Sequence, residues 1–288
     1  MKKTTTEKTF SWHSCRKHGF YFRERTAGIA SLAAFFLAFA GEGQAQSLDR
    51  HDINTGWRMQ DAAKVLKEGR DNGWLKINSA KMPEAGLELS KLSYKADGWY
   101  DATVPGTVLT TLVDNGVYEE PLYGENNRPE VIPEYLCHTD WWYRKEVDIP
   151  ASYIGKHVWL NFDGINYSAD VWVNGKRVGP IKGAFIRGKF DITQYVKAGA
   201  KAVIAVCISP QPHTGVPSEH TMGTIGGPCG GVGRLDGPTF GCSSGWDWLS
   251  GIRDRNSGIW QGGYLSAPAG VMLKDTLLPT DFAFPRTD

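Results

Sequence analysis

The residue pattern with the most chemical content lies near the C-terminus, where Asp247 stands between Trp246 and Trp248. Such an arrangement can bind a sugar, because the carboxylate accepts paired hydrogen bonds from hydroxyl groups while an indole face packs against C–H groups. The alternative is a buried Asp247 that accepts hydrogen bonds from backbone N–H groups of its own loop, with both indoles in the core. The residue types alone leave both interpretations open.

A second pattern, GCSSG at residues 241–245, matches the G-x-S-x-G sequence of serine hydrolases. That chemistry requires a strand before Ser243 and a helix after it, so that the hydroxyl is exposed on a sharp turn. Here Ser243 lies within a Gly-rich stretch, residues 223–245, instead of after a strand. The residues that follow, up to Gly251, show no helical pattern. We therefore predict that Ser243 is not a nucleophile.

Four of the five cysteines, Cys137, Cys207, Cys229 and Cys242, follow the N-terminal segment. Cys229 and Cys242 flank much of the Gly-rich stretch and could pair in an oxidising compartment, whereas Cys207 lies in a strand-like run and is predicted to be a buried thiol. The sequence contains no C-x-x-C, so no metal site is predicted. Asn166 begins an N-x-[ST] tripeptide, a match that chance alone explains.

The N-terminus has the pattern of a targeting segment. Residues 1–26 contain seven Lys or Arg residues, and residues 27–40 read AGIASLAAFFLAFA. A helix of that apolar run spans about 21 Å, which is shorter than the ~30 Å hydrocarbon core of a bilayer. We predict a secretory signal peptide over residues 1–45, a mature chain that begins near Gln46, and a secreted or periplasmic protein without a stable membrane anchor; an uncut signal anchor is the alternative.

The composition excludes several classes of protein. The chain is 41% hydrophobic and 22% charged, with 32 Lys and Arg residues against 31 Asp and Glu residues. It can therefore form a packed core, and it lacks the concentrated positive charge that a nucleic-acid partner requires. Its 11 tryptophans suit sugar binding, although large β cores also contain many Trp residues.

Strands are the elements that must position these side chains. Apolar residues alternate with polar or outward-facing ones over residues 158–163, 169–173 and 202–208. The Asn174-Gly175 pair after the second run predicts a tight hairpin. Several short strands without intervening helices favour an antiparallel sandwich over a parallel α/β sheet.

One short helix is predicted, with Thr107 as its N-cap and Asn115-Gly116 at its end. Residues 57–70 are ambiguous, because Ala62, Ala63 and other apolar residues fit a helix face but no residue ends such a helix before Gly69. The Gly-rich stretch is predicted to be a long loop, and loops of that length are usually functional or mobile.

Seven short motifs in collinear order resemble one family. They are VPGTVL at 104–109, YGENN at 123–127, WYR at 142–144, DVWVNG at 170–175, FDIT at 190–193, GWDW at 245–248 and GIW at 258–260. The sequence is similar to the N-terminal portion of glycoside hydrolase family 2, in the β-mannosidase and exo-β-D-glucosaminidase branch. The resemblance implies an all-β, jelly-roll, galactose-binding-like β-sandwich over residues 46–270, with residues 271–288 as a linker or the start of an immunoglobulin-like second domain.

The resemblance also implies roles for individual residues. Asp247 would bind hydroxyl groups of the terminal β-linked sugar of an oligosaccharide, and Trp246 would flank that sugar. Trp248 would pack in the core, Asp191 would cap a turn or helix, and residues 253–255 would form part of a surface that faces the family's catalytic barrel.

In that family both catalytic carboxylates belong to a C-terminal (β/α)₈ barrel, and no residue of this sequence matches either of their motifs. We therefore expect no catalytic residue and no cofactor in this chain, which would be inactive alone as a retaining glycosidase. The first hypothesis is the substrate-binding part of a secreted exo-β-glycosidase whose barrel is missing from this chain. The alternatives are a free-standing carbohydrate-binding module and an interaction domain that binds no sugar.

Overall fold

A computed structural model describes residues 49–67, 81–128, 130–212, 214, 216–217, 231–232 and 253–268. All of them belong to Ser47–Asp288, the second of two compact units into which the chain divides. The predicted signal peptide and the predicted linker at 271–288 lie outside the described residues. Within the described ranges, no helix has the length and hydropathy that a membrane span needs.

The larger of two main sheets has six antiparallel strands in the spatial order β3-β2-β4-β9-β6-β7. Its strands are β2 (Trp57–Asp61), β3 (Tyr100–Ala102), β4 (Trp141–Asp148), β6 (Ser168–Val173), β7 (Lys176–Lys182) and β9 (Lys201–Ser209). The central pair, β4 and β9, is in register over eight residues, from Trp141 opposite Ile208 to Asp148 opposite Lys201.

The smaller main sheet has four antiparallel strands in the order β1-β12-β5-β8. These are β1 (Arg50–Asp52), β5 (Trp159–Asn166), β8 (Gly188–Asp191) and β12 (Gly258–Ser266). The pairing of β12 with β5 shifts register between Gly258 and Gln261. A separate ribbon joins β10 (Val216–Pro217) to β11 (Gly231–Val232).

The core between the two sheets confirms the predicted β-sandwich. Leu160 and Phe162 of β5 and Leu265 of β12 pack in one buried cluster with Val206 of β9 and Trp57 of β2. The rings of Trp57 and Phe162 lie 6.2 Å apart. Inward-facing residues from both sheets therefore form a single apolar layer, as sheet-on-sheet packing requires.

Strand β9 is buried on both faces, which the alternating pattern did not predict. Ile204 and Val206 face the inter-sheet core, while Ala205 and Cys207 join a second cluster on the outer face of the sheet. Cys207 is 4% exposed, so the predicted buried thiol is confirmed.

The predicted hairpin is also confirmed. Asn174 and Gly175 connect β6 to β7 with φ values of 48° and 79°. Positive φ at both central residues is the geometry of a type I′ turn, which explains why Asn and Gly occupy these positions. The predicted cap at Asp191 is confirmed as well, since its carboxylate accepts a 3.0 Å hydrogen bond from the N–H of Thr193.

The described residues contain three short α-helices, so the expectation of one helix was incomplete. They are α1 (Ala62–Leu66), α2 (Met82–Leu89) and α3 (Val108–Asp114). The ambiguous segment proves to be β2 followed directly by α1, which ends at Lys67 in the left-handed conformation. Helix α3 is the predicted one, and the Thr107 hydroxyl caps it by accepting a hydrogen bond from the N–H of Thr110.

Helix α2 was not predicted, because Pro83 and Gly86 are poor helix formers. Pro83 lies in the first turn, where its missing N–H costs nothing. Gly86 lies against the Trp172 indole, so closely that a Cβ at this position would be 2.1 Å from the ring. The glycine therefore permits α2 to cover the outer face of the six-stranded sheet.

Candidate functional site

The predicted sugar-binding residues Trp246 and Asp247 lie outside the described residues, as do Trp248, Ser243, Cys229 and Cys242. The described segment that follows them most closely is residues 253–257, here called the stem, which leads directly into β12. Asp247 precedes Arg253 by six residues in the sequence. The stem and its surroundings are therefore the described part of the candidate site.

Two arginines of the stem clamp one carboxylate. Arg253 Nη1 lies 2.9 Å from Glu134 Oε1, and Arg255 Nη2 lies 2.8 Å from Glu134 Oε2. The two arginine side chains are 5% and 8% exposed. The expectation that residues 253–255 form an exposed barrel-facing surface was therefore wrong, because these charged side chains are compensated inside the domain by Glu134.

Further hydrogen bonds from the clamp hold distant parts of the chain together. Arg253 donates two bonds to the Asn127 carbonyl, at 3.0 and 2.8 Å. Arg255 donates from Nε to the Thr214 carbonyl at 2.7 Å. Thr214 precedes the Gly-rich stretch and Arg255 follows it, so this guanidinium joins the two flanks of the segment that carries Asp247.

Asp254 fixes the stem against the start of helix α3. Its two carboxylate oxygens accept hydrogen bonds from the N–H groups of Leu109, at 2.6 Å, and Asn256, at 2.8 Å. Asp254 is fully buried, and this burial raises the pKa of its carboxyl, although hydrogen bonds from Thr107 and the two N–H groups and the charge of Arg255 oppose the rise. A carboxylate at a helix N-terminus also satisfies donors that the helix leaves free.

Backbone contacts extend this attachment to the VPGTVL motif. The N–H of Val108 donates to the Ser257 carbonyl at 2.8 Å, and the N–H of Gly106 donates to the Ile259 carbonyl at 2.9 Å. Gly258 has a φ of 150°, and a Cβ there would lie 2.6 Å from the Gly106 carbonyl oxygen. The motif residues and the stem therefore form one closely packed unit.

Asn166 closes the stem from the side of the smaller sheet. Its side-chain amide donates to the carbonyls of Arg255 and Asn256, at 3.0 Å each. Arg255 and Asn256 both have positive φ, 53° and 56°, so the stem turns sharply here. Asn166 is fully buried, and the amide nitrogen that a glycan would modify is already hydrogen-bonded, so the tripeptide at this position is not an accessible acceptor.

The ligand-type side chains of Glu134, Cys137 and His138 lie within 4.8 Å of one another. They do not suit a cation, because the guanidinium groups of Arg253 and Arg255 contact both oxygens of Glu134. Burial raises the pKa of the Cys137 thiol to about 11, and its Sγ donates to the Glu134 carbonyl at 3.2 Å. This cluster is therefore part of the stem's support rather than a metal centre.

Sequence reasoning missed Glu134 and Thr214 entirely. Glu134 lies in the short 3₁₀-helix Glu134–Cys137, 119 residues before Arg253, and its sequence neighbours give no sign of its partners. The signal that could have found it is the pair of arginines separated by one residue next to the GWDW motif, since closely spaced buried arginines require a carboxylate.

Comparison with known proteins identifies the family and several relatives of this chain. The family described as glycosyl hydrolase 2 galactose-binding domain-like matches residues 78–261. The mannosylglycoprotein endo-beta-mannosidase of Lilium longiflorum is 34% identical over 75% of this chain and 23% of its own length. The exo-beta-D-glucosaminidase of Streptomyces avermitilis is 29% identical over 74% of this chain and 21% of its own length.

Two solved structures share the fold. The Amycolatopsis orientalis exo-chitosanase CsxA, as the D469A complex with PNP-beta-D-glucosamine, superposes with a TM-score of 0.52 at 24% identity, over 76% of this chain and 20% of that one. The beta-D-mannosidase from Dictyoglomus thermophilum superposes with a TM-score of 0.50 at 21% identity, over 76% of this chain and 23% of that one. These likenesses agree with the resemblance drawn from the motifs and with the β-sandwich.

Proposed function

Because this chain belongs to the glycosyl hydrolase 2 galactose-binding domain-like family, we propose that it is the substrate-binding N-terminal portion of a secreted, retaining β-glycosidase of the β-mannosidase or exo-β-glucosaminidase type. The chain spans about a fifth to a quarter of the length of the curated relatives named above. The observation that carries the proposal is the buried attachment of the stem, by which Arg255 joins the two flanks of the segment that carries Asp247.

In this proposal Asp247 accepts hydrogen bonds from two hydroxyl groups of a terminal β-linked sugar, and Trp246 packs beside the sugar ring. Each charge-assisted bond contributes about 1.5–3 kcal/mol where water is excluded. The relatives, a mannosylglycoprotein endo-beta-mannosidase and an exo-beta-D-glucosaminidase, supply the sugar classes. The family's barrel would exclude water from this carboxylate and supply the two catalytic carboxyl groups.

We propose no catalytic role for the carboxylates that the structure describes. A retaining mechanism needs two carboxyl groups about 5 Å apart beside the scissile bond. Among the described residues, three carboxylates have structural partners: Glu134 is clamped by two arginines, Asp254 accepts two backbone N–H groups and Asp61 caps helix α1. These groups position chain segments.

The role of Asp247 is tested with residues 47–288, which correspond to the compact unit Ser47–Asp288. We expect methyl β-mannoside or glucosamine to bind with a dissociation constant weaker than about 1 mM, measured by NMR titration, because the isolated domain leaves the carboxylate in contact with water. Asp247→Ala should abolish the chemical-shift changes that the sugar causes and leave the melting temperature unchanged. Asp236→Ala, in the same Gly-rich stretch, is the matched control.

The competing interpretation makes the opposite prediction. If Asp247 only organises its loop, Asp247→Ala lowers the melting temperature and leaves sugar binding as it was. In a multidomain form that carries a barrel, the proposal further requires Asp247→Ala to lower kcat/KM by about 100-fold with the fold intact, which corresponds to about 2.7 kcal/mol of transition-state stabilisation.

A free-standing carbohydrate-binding module is the second candidate, and the compactness of Ser47–Asp288 favours it. The genomic sequence downstream of residue 288 distinguishes the two candidates. A continuing or frame-shifted reading frame that encodes a barrel with two catalytic Glu motifs supports the glycosidase, and its absence supports the module.

A further inference from the structure

The smaller sheet carries a cleft that the proposed function does not use. Its volume is about 640 Å³, and its described lining comes from β5, β8, β12 and the turn before β8. The lining residues are Asp163, Phe185, Ile186, Arg187, Lys189, Trp260 and Gln261. Small-molecule sites usually measure about 300–1,000 Å³ and combine aromatic surface with a few convergent polar groups, as this cleft does.

Trp260, the last residue of the GIW motif, is the rigid part of this cleft. A Cβ at Gly164 would lie 2.7 Å from the indole Nε1 and 2.8 Å from Cε2, so only glycine allows the indole to approach β5 this closely. Nε1 donates a 2.8 Å hydrogen bond to the Ala184 carbonyl. The Phe185 ring meets the indole edge to face, with centroids 5.9 Å apart. The half-buried indole is therefore held in one orientation before any ligand arrives.

Polar side chains surround this aromatic wall. The carboxylate of Asp163 lies 3.7 Å from Arg187 Nε and 3.9 Å from Arg50 Nη2. Both distances exceed a hydrogen bond, so neither guanidinium group saturates the carboxylate. The Arg187 side chain is 71% exposed. Gln261 adds an amide donor and an amide acceptor, so the cleft offers both hydrogen-bonding roles beside an aromatic surface.

From this combination we propose that the cleft binds a neutral saccharide chain, at a site separate in its residues from Trp246 and Asp247. A pyranose ring presents apolar C–H groups to an aromatic side chain and hydroxyl groups to carboxylate, amide and guanidinium groups. Arg187 lies 3.7 Å from Asp163, the one carboxylate among the described lining residues, so a cationic glucosamine chain would compete with this guanidinium for the same negative charge.

A protein partner fits the cleft less well. Phe185 and Ile186 are exposed, at 47% and 55%, but four of the seven lining residues are charged or polar. A specific protein interface buries about 800 Å² on each partner around an apolar centre, which two adjacent side chains do not supply.

The proposal is tested by calorimetric titration of residues 47–288 with β-1,4-linked mannotetraose and with the glucosamine tetramer at pH 5.5. We expect mannotetraose to bind at least about 10-fold more tightly than the glucosamine tetramer, a difference of 1.4 kcal/mol. The double variant Phe185→Ala/Arg187→Ala should weaken mannotetraose binding at least about 10-fold. The control Leu122→Ala/Arg128→Ala removes an exposed apolar group and an exposed arginine elsewhere and should leave binding within about 2-fold.

A further variant separates this proposal from the proposed function. Mannotetraose also carries a terminal mannose, so Asp247→Ala should remove the weak binding proposed for that carboxylate and leave the binding component that Phe185→Ala/Arg187→Ala weakens. If Asp247→Ala abolishes binding while the Phe185→Ala/Arg187→Ala variant binds normally, the cleft proposal is overturned and the role of Asp247 is supported. Absence of mannotetraose binding, tighter binding of the glucosamine tetramer, or self-association that the double variant abolishes would also overturn it.

Discussion

The clamp on Glu134 gives the sharpest test of how the stem is held. Glu134→Gln keeps the size and shape of the side chain but removes the charge that both Arg253 and Arg255 face. Each guanidinium keeps hydrogen bonds to backbone carbonyls, Arg253 to Asn127 and Arg255 to Thr214. Two buried positive charges nevertheless lose their common counter-ion.

The magnitude follows from the burial of the three groups. Breaking a buried ion pair by removing one partner costs about 3–5 kcal/mol. Because the Glu134 side chain is 25% exposed, water partly compensates the change, and we expect the lower end, about 3 kcal/mol. For a domain of this size, 1 kcal/mol lowers the melting temperature by about 2–4 °C, so Glu134→Gln should lower it by about 6–12 °C.

The assay is thermal unfolding of residues 47–288 followed by circular dichroism at pH 7. The matched control is Glu125→Gln, whose carboxylate pairs with Arg128 at 2.7 Å but with side chains 72% and 54% exposed. Exposed pairs contribute at most about 1 kcal/mol, so the control should shift the melting temperature by less than about 4 °C. If Glu134→Gln and Glu125→Gln have the same melting temperature, the ion pairs of Glu134 do not stabilise the stem and the reasoning is refuted.

The other predictions concern separate parts of the chain. Burial of neutral His138 lowers the pKa of its imidazole. The contribution of this neutral side chain to the stability of the fold is therefore complete above the ordinary pKa of about 6.5, and it is lost as the pH falls through the lowered folded-state pKa. His138→Asn should flatten the pH dependence of the melting temperature below about pH 6.5. Gly86→Ala forces a methyl group into the Trp172 indole and should destabilise the domain by about 1–3 kcal/mol in urea unfolding, although alanine is the better helix former. N-terminal sequencing of exported protein should begin near Gln46, and soluble protein that retains Met1 would contradict the predicted signal peptide.

Local patterns in the sequence predicted the elements whose causes are local. Alternation identified the buried faces of β5, β6 and β9, and Asn174-Gly175 identified the hairpin because the turn itself demands positive φ. Thr107 was predicted as a cap, and its hydroxyl accepts a hydrogen bond from the N–H of Thr110. Asp191, whose role as a cap came from the family resemblance, accepts one from the N–H of Thr193. In each case the interaction that fixes the structure lies within a few residues of the signal.

The features that the sequence did not reveal depend on distant partners. Helix α2 contains Pro83 and Gly86, yet it forms because it covers Trp172 on the outer face of the larger sheet. That second apolar layer also buries Ala205 of β9, which alternation alone assigns to an exposed face. Tertiary burial outweighs intrinsic propensity in these cases.

Residues 253–255 show the same limit at the candidate site. An Arg-Asp-Arg sequence is typical of a solvated surface, but each of its side chains is buried and has a specific partner far away in the sequence. Glu134 and Leu109, which hold Arg253 and Asp254, are more than 100 residues distant. Only the three-dimensional structure brings these groups together.

The stem is held by buried polar and charged side chains although apolar ones could pack in the same space. Buried ion pairs seldom stabilise a fold more than well-packed apolar side chains of the same size. Apolar residues at positions 134, 253 and 255 could therefore hold the stem in place, but without directional bonds. Arg255 instead donates to the Thr214 carbonyl and to Glu134 at fixed distances, and the Asn166 amide donates to the carbonyls of Arg255 and Asn256. A sugar-binding group must be held to within about 0.5 Å of its working position. We infer that the polar cluster fixes the direction in which the chain leaves the sandwich on either side of Asp247, and that this orientation, more than stability, is its contribution.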